Sequence, residues 1–299
     1  MSLLPKKRWI GLLLVTSLLN NNMNPLNVRQ GQLVVMTDLD GTLLDHYDYS
    51  PTVALNSIQK LLSHGVPLIF NSSKTFEEQR TLQRDLGIRA PFVFENGSGV
   101  AVPAQISPTF VPDYIHKQYY IKQFAPLDLS DISTIMQHGS VTKFQKLLTM
   151  STAEINDIIR HTGLDLTQAT LAKARIYTDT ILDTLDDEDF KQWASLFDSN
   201  GIKMTKGGRF YTVQAKEIDK ATPLQWLRSL WNTPIYLIAI GDSENDTSMI
   251  AAADEGYWVQ RPDNKWAVRQ PAHTCNLIPK IGPYGFAHMV QAIFSTGIQ

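Results

Sequence analysis

Apolar residues along this chain recur in two patterns, short unbroken runs and runs spaced by three or four. Unbroken runs occur at 33–36 (LVVM), 66–70 (VPLIF) and 234–240 (PIYLIAI). Bounded by turn residues, such runs read as strands buried on both faces, as in parallel sheets. The second pattern appears between the first two runs. Val53, Leu55, Ile58, Leu61 and Leu62 are helically spaced behind Ser50 and Pro51, and His64-Gly65 closes the segment. Strand, helix and strand in that order predict a βαβ unit whose two strands are parallel neighbours. SSKT at 72–75 then opens a helix over FEEQRTLQRDLG, with Ser73 or Thr75 as cap and acidic residues in the first turn.

Beyond PFVFENGSGV at 91–100 the texture changes, marked by Pro103, Pro108 and Pro112. Helical patterns follow at 151–164, with Ser151 as cap and Glu154 completing a capping box, at 167–175 behind Thr167, and at 186–202. Candidate strands lie between them at 118–123, 174–182 and 202–205. After the apolar run at 234–240 come a glycine corner, a helix, and then helix, strand and loop across 251–265. GPYGFAHMVQAIF at 282–294 reads as a closing helix. This predicts an α/β protein with a smaller α/β insertion. The expected division is a core of 31–102 and 207–299, an insertion of 103–206, and an N-terminal segment of 1–30 outside the fold.

Composition alters this picture little. In 299 residues, 27 basic side chains face 29 acidic ones, so no basic surface for nucleic acid is implied. The single cysteine, Cys275, excludes an internal disulfide framework and reads as a small buried residue. Lys6, Lys7 and Arg8 precede an apolar stretch at 9–19 too short to span a bilayer comfortably, so no stable membrane insertion is expected. No small-x-small cleavage site follows. The first 22 residues, ahead of Met23, read as an over-extended start or a disordered tail, with an export signal the lesser alternative, and a cytoplasmic location is expected.

The chemistry concentrates where strands end. Asp38 and Asp40, in DLDG, terminate the first apolar run, and alternate positions on an extended chain bring two carboxylates to one side. A divalent cation would offset that charge, leaving one carboxylate as nucleophile and the other to exchange protons. DLDG alone is equally a polar turn. Asp242, Glu244 and Asp246 form a second acidic corner after the run at 234–240. Hard oxygen ligands there suit magnesium, and the longer spacing of a calcium loop is absent. In parallel sheets such corners converge at the carboxyl edge, which also places Ser72 and Lys74 beside Asp38. On the residues alone, Asn96-Gly97 is as readily a hairpin turn, Arg175 a surface ion-pair partner, and Lys220 no better a candidate than Lys216.

The full phrase DLDGTLLD resembles the first motif of the haloacid dehalogenase superfamily, and GDSEND at 241–246 resembles its fourth. SSKT, Glu78, PFVFENGSGV, GLDLTQATLAKAR, GGRF at 207–210 and the GPxG start of the last helix are similar to the mannosyl-3-phosphoglycerate phosphatase family within it. The resemblance implies a Rossmann-like parallel-sheet core with an inserted cap, and a Mg²⁺-dependent phosphomonoester hydrolase. By the same resemblance Asp38 is the nucleophile and Asp40 the acid/base. Gly41, Ser72 and Lys220 bind phosphate, and Asp38, Asp40, Asp242 and Asp246 hold metal. Glu95, Asn96, Arg175, Gly208 and Arg209 contact substrate. The implied substrate is a phosphorylated sugar or glycosylglycerate, with a mutase or a non-catalytic phosphosugar sensor as rival classes. Two departures stand out: IYTDT at 176–180 replaces the family's acidic-proline phrase, and Thr212 stands where the family has histidine.

Overall fold

Residues buried on both sides must be apolar at every position, and the unbroken runs accordingly become the central strands. The computed structural model describes residues 31–106, 110–142, 146–206, 210–267 and 275–295. The expectations for residues 1–30 lie outside them. In chain order the first half comprises β1 (Gln32–Thr37), α1 (Leu55–Ser63), β2 (Leu68–Asn71), α2 (Phe76–Leu86), β3 (Phe92–Phe94), β4 (Gly99–Pro103), β5 (Tyr114–His116) and β6 (Tyr119–Gln123). There follow α3 (Leu129–Thr142), α4 (Ile155–Thr162), α5 (Leu166–Lys173), β7 (Asp179–Ile181), α6 (Asp187–Ser199), β8 (Ile202–Lys206) and β9 (Tyr211–Ala215). The chain ends with α7 (Leu224–Arg228), β10 (Ile235–Gly241), α8 (Thr247–Ala252), β11 (Glu255–Gln260), β12 (Cys275–Ile281) and α9 (Gly282–Ser295).

The larger sheet runs β12-β11-β10-β1-β2-β3-β4-β6-β5, parallel from β12 to β3 and antiparallel beyond. Alternate residues of its central strands enter two separate cores. Val35, Leu68, Phe70 and Phe92 pack with Ile58, Phe76 and Phe286 from α1, α2 and α9. Val34, Met36, Ile69 and Val93 pack with Leu224, Met249 and Ile250 from α7 and α8. This is the Rossmann-like α/β core that the runs of 33–36, 66–70 and 234–240 predict.

A second sheet, β7-β9-β8, is antiparallel. Ile181, Ile202, Met204, Tyr211 and Val213 on one of its faces pack against Trp193 and Phe197 of α6 and Ile132 of α3. Strand pairing shifts both expected boundaries of the insertion. β5 and β6 extend the larger sheet, so the chain stays with that sheet beyond 102 instead of leaving it there. β9 is the middle strand of the small sheet, so the return to the core comes after Ala215 and not at 207.

Local capping also differs from expectation in two places. The cap of α4 is Glu154 and makes no side-chain cap bond, because the Ser151 hydroxyl donates to buried Asp179 instead. The cap of α5 is Asp165, paired reciprocally with Gln168, not Thr167. Thr75 and Glu78 form the capping box of α2, and Thr75 Oγ1 also donates to the Leu171 carbonyl at 2.9 Å, tying α2 to α5. Cys275 is half-buried on β12.

Candidate active site

Four neighbouring parallel strands, β10, β1, β2 and β3, deliver the acidic corners, Ser72 and the Glu95-Asn96 turn to one edge of the sheet. β1 and β10 pair through Thr37 and Ile240, and the Asp38 amide continues the ladder, donating to the Ile240 carbonyl at 3.0 Å. Asp38 and Asp242 therefore leave adjacent strands side by side. Carboxylate oxygens of Asp38, Asp242 and Asp246, all three buried, lie within 4.8 Å of one another.

One cation sits among them. Lys220, 1 % exposed, donates from Nζ to Asp38 Oδ1 at 2.6 Å and to Asp246 Oδ1 at 2.5 Å. Its own carbonyl accepts from Asn71 Nδ2 at 2.8 Å. Gly97 makes room for this segment: at φ +95°, a Cβ there would stand 1.9 Å from the Asp219 carbonyl oxygen. Lys216, the rival lysine, pairs with Asp198 on the surface.

Three buried carboxylates against one ammonium leave the cluster short of positive charge. Burial, opposed by Lys220 and reinforced by Asp246, pushes Asp38 up to about 7. Burial and the neighbouring Asp38 and Asp246 raise Asp242 well above the usual carboxylate range. Burial would lower the Lys220 ammonium, but Asp246 and Asp38 overcome it and hold the group charged. These hard oxygen donors and their excess charge fit a divalent cation. Asp246 contributes differently from Asp38 and Asp242. Its Oδ2 accepts the amides of Asp242 at 3.1 Å and Ser243 at 3.0 Å while Oδ1 accepts Lys220, so it holds the corner and the lysine in place.

Asp40 does not join the cluster with its side chain. Oδ2 pairs with Lys74 Nζ at 3.0 Å, and Oδ1 is buried without a hydrogen-bond partner. Lys74 also approaches Glu78 Oε1 at 3.4 Å and lies over the Tyr49 ring. The Asp40 carboxylate, expected at the metal site, thus faces Lys74 rather than the other three carboxylates. The Gly41 amide, expected at the phosphate, donates to the Leu44 carbonyl at 3.1 Å. What the position requires is backbone freedom, at φ +80°, and closeness: a Cβ would lie 2.8 Å from Asp242 Oδ2. Ser72 is buried at the end of β2, and its oxygen accepts the Lys74 amide at 3.2 Å, which leaves its O–H to donate.

Of the expected substrate residues, Glu95 and Asn96 turn out to join the two sheets. Glu95 is fully buried at positive φ, 51°. Its carboxylate accepts the amides of Ile176, Tyr177 and Thr178 at 2.9, 2.9 and 2.7 Å, and the Thr178 hydroxyl at 2.9 Å. Burial raises its pKa, while Arg175 and those donors work against the rise. Asn96 donates to Gln214 Oε1 at 3.0 Å and accepts from Asn245 at 3.4 Å. Arg175 donates to Thr178 Oγ1 at 2.8 Å, and its buried Nε has no partner. Gly208 and Arg209 lie outside the described residues.

Asn71 and Gln214 were not singled out from the sequence. The one signal for Asn71 was a polar residue closing a buried apolar strand. Nothing local marked Gln214, whose partner is 118 positions away.

Comparison with known proteins places this geometry. Residues 35–265 match the model of a family described as haloacid dehalogenase-like hydrolase. A glucosyl-3-phosphoglycerate/mannosyl-3-phosphoglycerate phosphatase of Persephonella marina is 33% identical over 74% of this chain and 82% of its own length. One of the same description from Methanococcoides burtonii is 29% identical over 86% and 95%. A mannosyl-3-phosphoglycerate phosphatase of Pyrococcus furiosus is 30% identical over 76% and 90%. Among solved structures, a Thermoplasma acidophilum protein superposes with a TM-score of 0.65 at 16% identity, covering 88% of this chain and 99% of its own. A haloacid dehalogenase-like hydrolase from B. subtilis does so at 0.58 and 16%, covering 86% and 98%. At these identities the structures speak for the fold. No helix among the described residues is long and apolar enough to cross a membrane.

Proposed function

From the premise that the chain belongs to the haloacid dehalogenase-like hydrolases and is a phosphatase, we propose that it hydrolyses mannosyl-3-phosphoglycerate or glucosyl-3-phosphoglycerate through an aspartyl-phosphate. The product would be a glycosylglycerate, a compatible solute. The observation that carries the chemistry is the placement of Asp38, buried, tied by one oxygen to Lys220, and beside Asp242. The substrate reading rests on the names of the relatives.

In this reading the second oxygen of Asp38 attacks phosphorus, forming an Asp38–phosphate bond as the ester P–O bond breaks. Asp40 Oδ1, buried and unpartnered while Oδ2 is held by Lys74, carries the proton that passes to the leaving alkoxide. Asp40 then takes a proton from the water that attacks the acyl phosphate, releasing inorganic phosphate and restoring Asp38. Lys220 and the Ser72 hydroxyl face the charge on the transferring oxygens. Asp38 and Asp242 would hold Mg²⁺, with Asp246 fixing the corner behind them; when bound it supplies charge stabilisation of the phosphoryl oxygens. The smaller sheet with α3–α6 would act as the cap that selects the organic part.

The test is a kcat/KM panel with Mg²⁺ on both glycosyl-3-phosphoglycerates, glucosylglycerol phosphate and simple hexose phosphates, scored by released phosphate. The reading requires a glycosyl-3-phosphoglycerate to lead by about tenfold or more, the scale on which polar recognition separates substrates. A hexose phosphate at the top of the panel would falsify the substrate, and turnover by Asp38→Asn would end the mechanism.

A further inference from the structure

The face of the small sheet turned away from α3 and α6 is not uniformly apolar. Thr180 of β7 is in register with Thr212 of β9, which is in register with Thr205 of β8. Strand alternation puts all three side chains on that face, opposite Ile181, Val213 and Met204 of the core. Two residues along β9, Gln214 lies on the same face and accepts from Asn96, in the turn that leaves β3 at the catalytic edge. In the other direction, Leu182 and Phe210 of this face are covered by the α4–α5 cluster. The three threonines thus form a row between the catalytic turn and the α4–α5 cover.

We infer that this row of Thr180, Thr212 and Thr205 is the subsite that reads the hydroxyl groups of the substrate's sugar ring. Thr180 is more than nine-tenths buried, Thr212 half-buried and Thr205 exposed, so the row runs from the interior to the surface. Among the described residues none of the three hydroxyls has a hydrogen-bond partner. The Thr180 oxygen is not among the sealed, unpartnered side-chain atoms, so it stays open to an incoming polyol although its residue is buried. Each hydroxyl both donates and accepts, and none is charged, which matches neutral sugar hydroxyls rather than a carboxylate or phosphate. At about 3.3 Å per residue, the row stands roughly 7 Å along the strand from the residue that touches the catalytic turn. With strands about 4.8 Å apart, the row spans about 10 Å, on the order of the length of a hexose. The inference rests on the substrate class proposed above.

The experiment compares the Mg²⁺-loaded wild type with Thr180→Val, Thr212→Val, Thr205→Val and their combination. The readout is kcat/KM for each glycosyl-3-phosphoglycerate and for glucosylglycerol phosphate, divided by that for p-nitrophenyl phosphate, which has no sugar. Losing one net hydrogen bond costs about three- to tenfold, so the triple variant should lower the ratio by at least tenfold, mainly through KM. Thr212→Ser, which keeps the hydroxyl, should stay within about threefold of wild type on the same basis. An unchanged ratio, or a Ser variant as poor as Val, overturns the inference. If the wild type hydrolyses p-nitrophenyl phosphate but neither glycosyl-3-phosphoglycerate, the proposed substrate falls and the row is judged by the same ratio on glucosylglycerol phosphate. Rejection of all three glycosylated compounds overturns both.

Discussion

Replacing Asp38 by asparagine should stabilise the metal-free protein while abolishing turnover. Burial lifts Asp38 from an ordinary 3.8 to about 7. A carboxyl raised in the folded state contributes fully below its unfolded value and loses that contribution as pH climbs through the folded one. The loss corresponds to about 4 kcal/mol, from about 1.4 kcal/mol per pH unit between the two values. Asparagine carries no charge at any pH. The stability difference between variant and wild type should therefore be small near pH 4 and grow to about 4 kcal/mol by pH 8. Asp242 adds in the same direction, because Asp38 is one cause of its elevation. Urea unfolding in excess chelator at several pH values measures this difference directly. Mg²⁺ should then stabilise the wild type far more than the variant, shrinking the gap, since the cation offsets a charge that the amide of the variant does not carry. A difference that stays flat from about pH 4 to pH 8 in chelator would refute the reasoning.

Three further outcomes are expected. Lys74→Met should free the Asp40 carboxylate and lower kcat about 100-fold on alkyl phosphates, with a much smaller effect on p-nitrophenyl phosphate, whose leaving group needs no acid; equal losses on both would exclude Lys74 as the group that positions the acid. Glu95→Gln places an amide N–H₂ against four donors, so a loss of about 2–3 kcal/mol and faster hydrogen exchange at 176–178 should follow; unchanged exchange there would show that Glu95 does not anchor that segment. Gly97→Ala forces the Lys220 segment away and should destabilise by on the order of 3 kcal/mol or more, with kcat falling in the folded fraction; wild-type melting and turnover would contradict the contact.

The core was legible in the sequence because its cause is local. A strand buried on both faces has to be apolar throughout, so LVVM, PLIF and IYLIAI announce β1, β2 and β10, and the carboxylates that end them are conspicuous by contrast. The capping box of α2 was equally readable, since both of its partners lie within one turn. What was not legible depends on distant chain. Glu95 looks like a turn residue until the amides of 176–178 close around it, and Lys220 cannot be told from Lys216 until burial separates them. Helix α3 went unnoticed because a glycine and several hydroxyl residues dilute its apolar spacing. The insertion's limits were misplaced for a related reason: prolines mark irregular backbone, but only strand pairing says which sheet a segment joins.

The order of strands in the larger sheet also bears on how the chain reaches this state during synthesis. β1 lies between β2, its early neighbour, and β10, whose acidic corner is 200 positions away: Thr42 and Asp242 are separated by that distance. While the ribosome is still making the insertion, β1 has one hydrogen-bonding edge satisfied and the other open, with Val34, Val35 and Met36 along it. Parallel pairing at such separation is slow, and an open apolar edge recruits other chains. The nascent protein therefore passes through an interval in which Asp38 sits at the end of a strand with an open apolar edge. Release of β10 from the ribosome both closes that edge and brings Asp242 to Asp38, so the covered edge and the acidic cluster are gained in the same step.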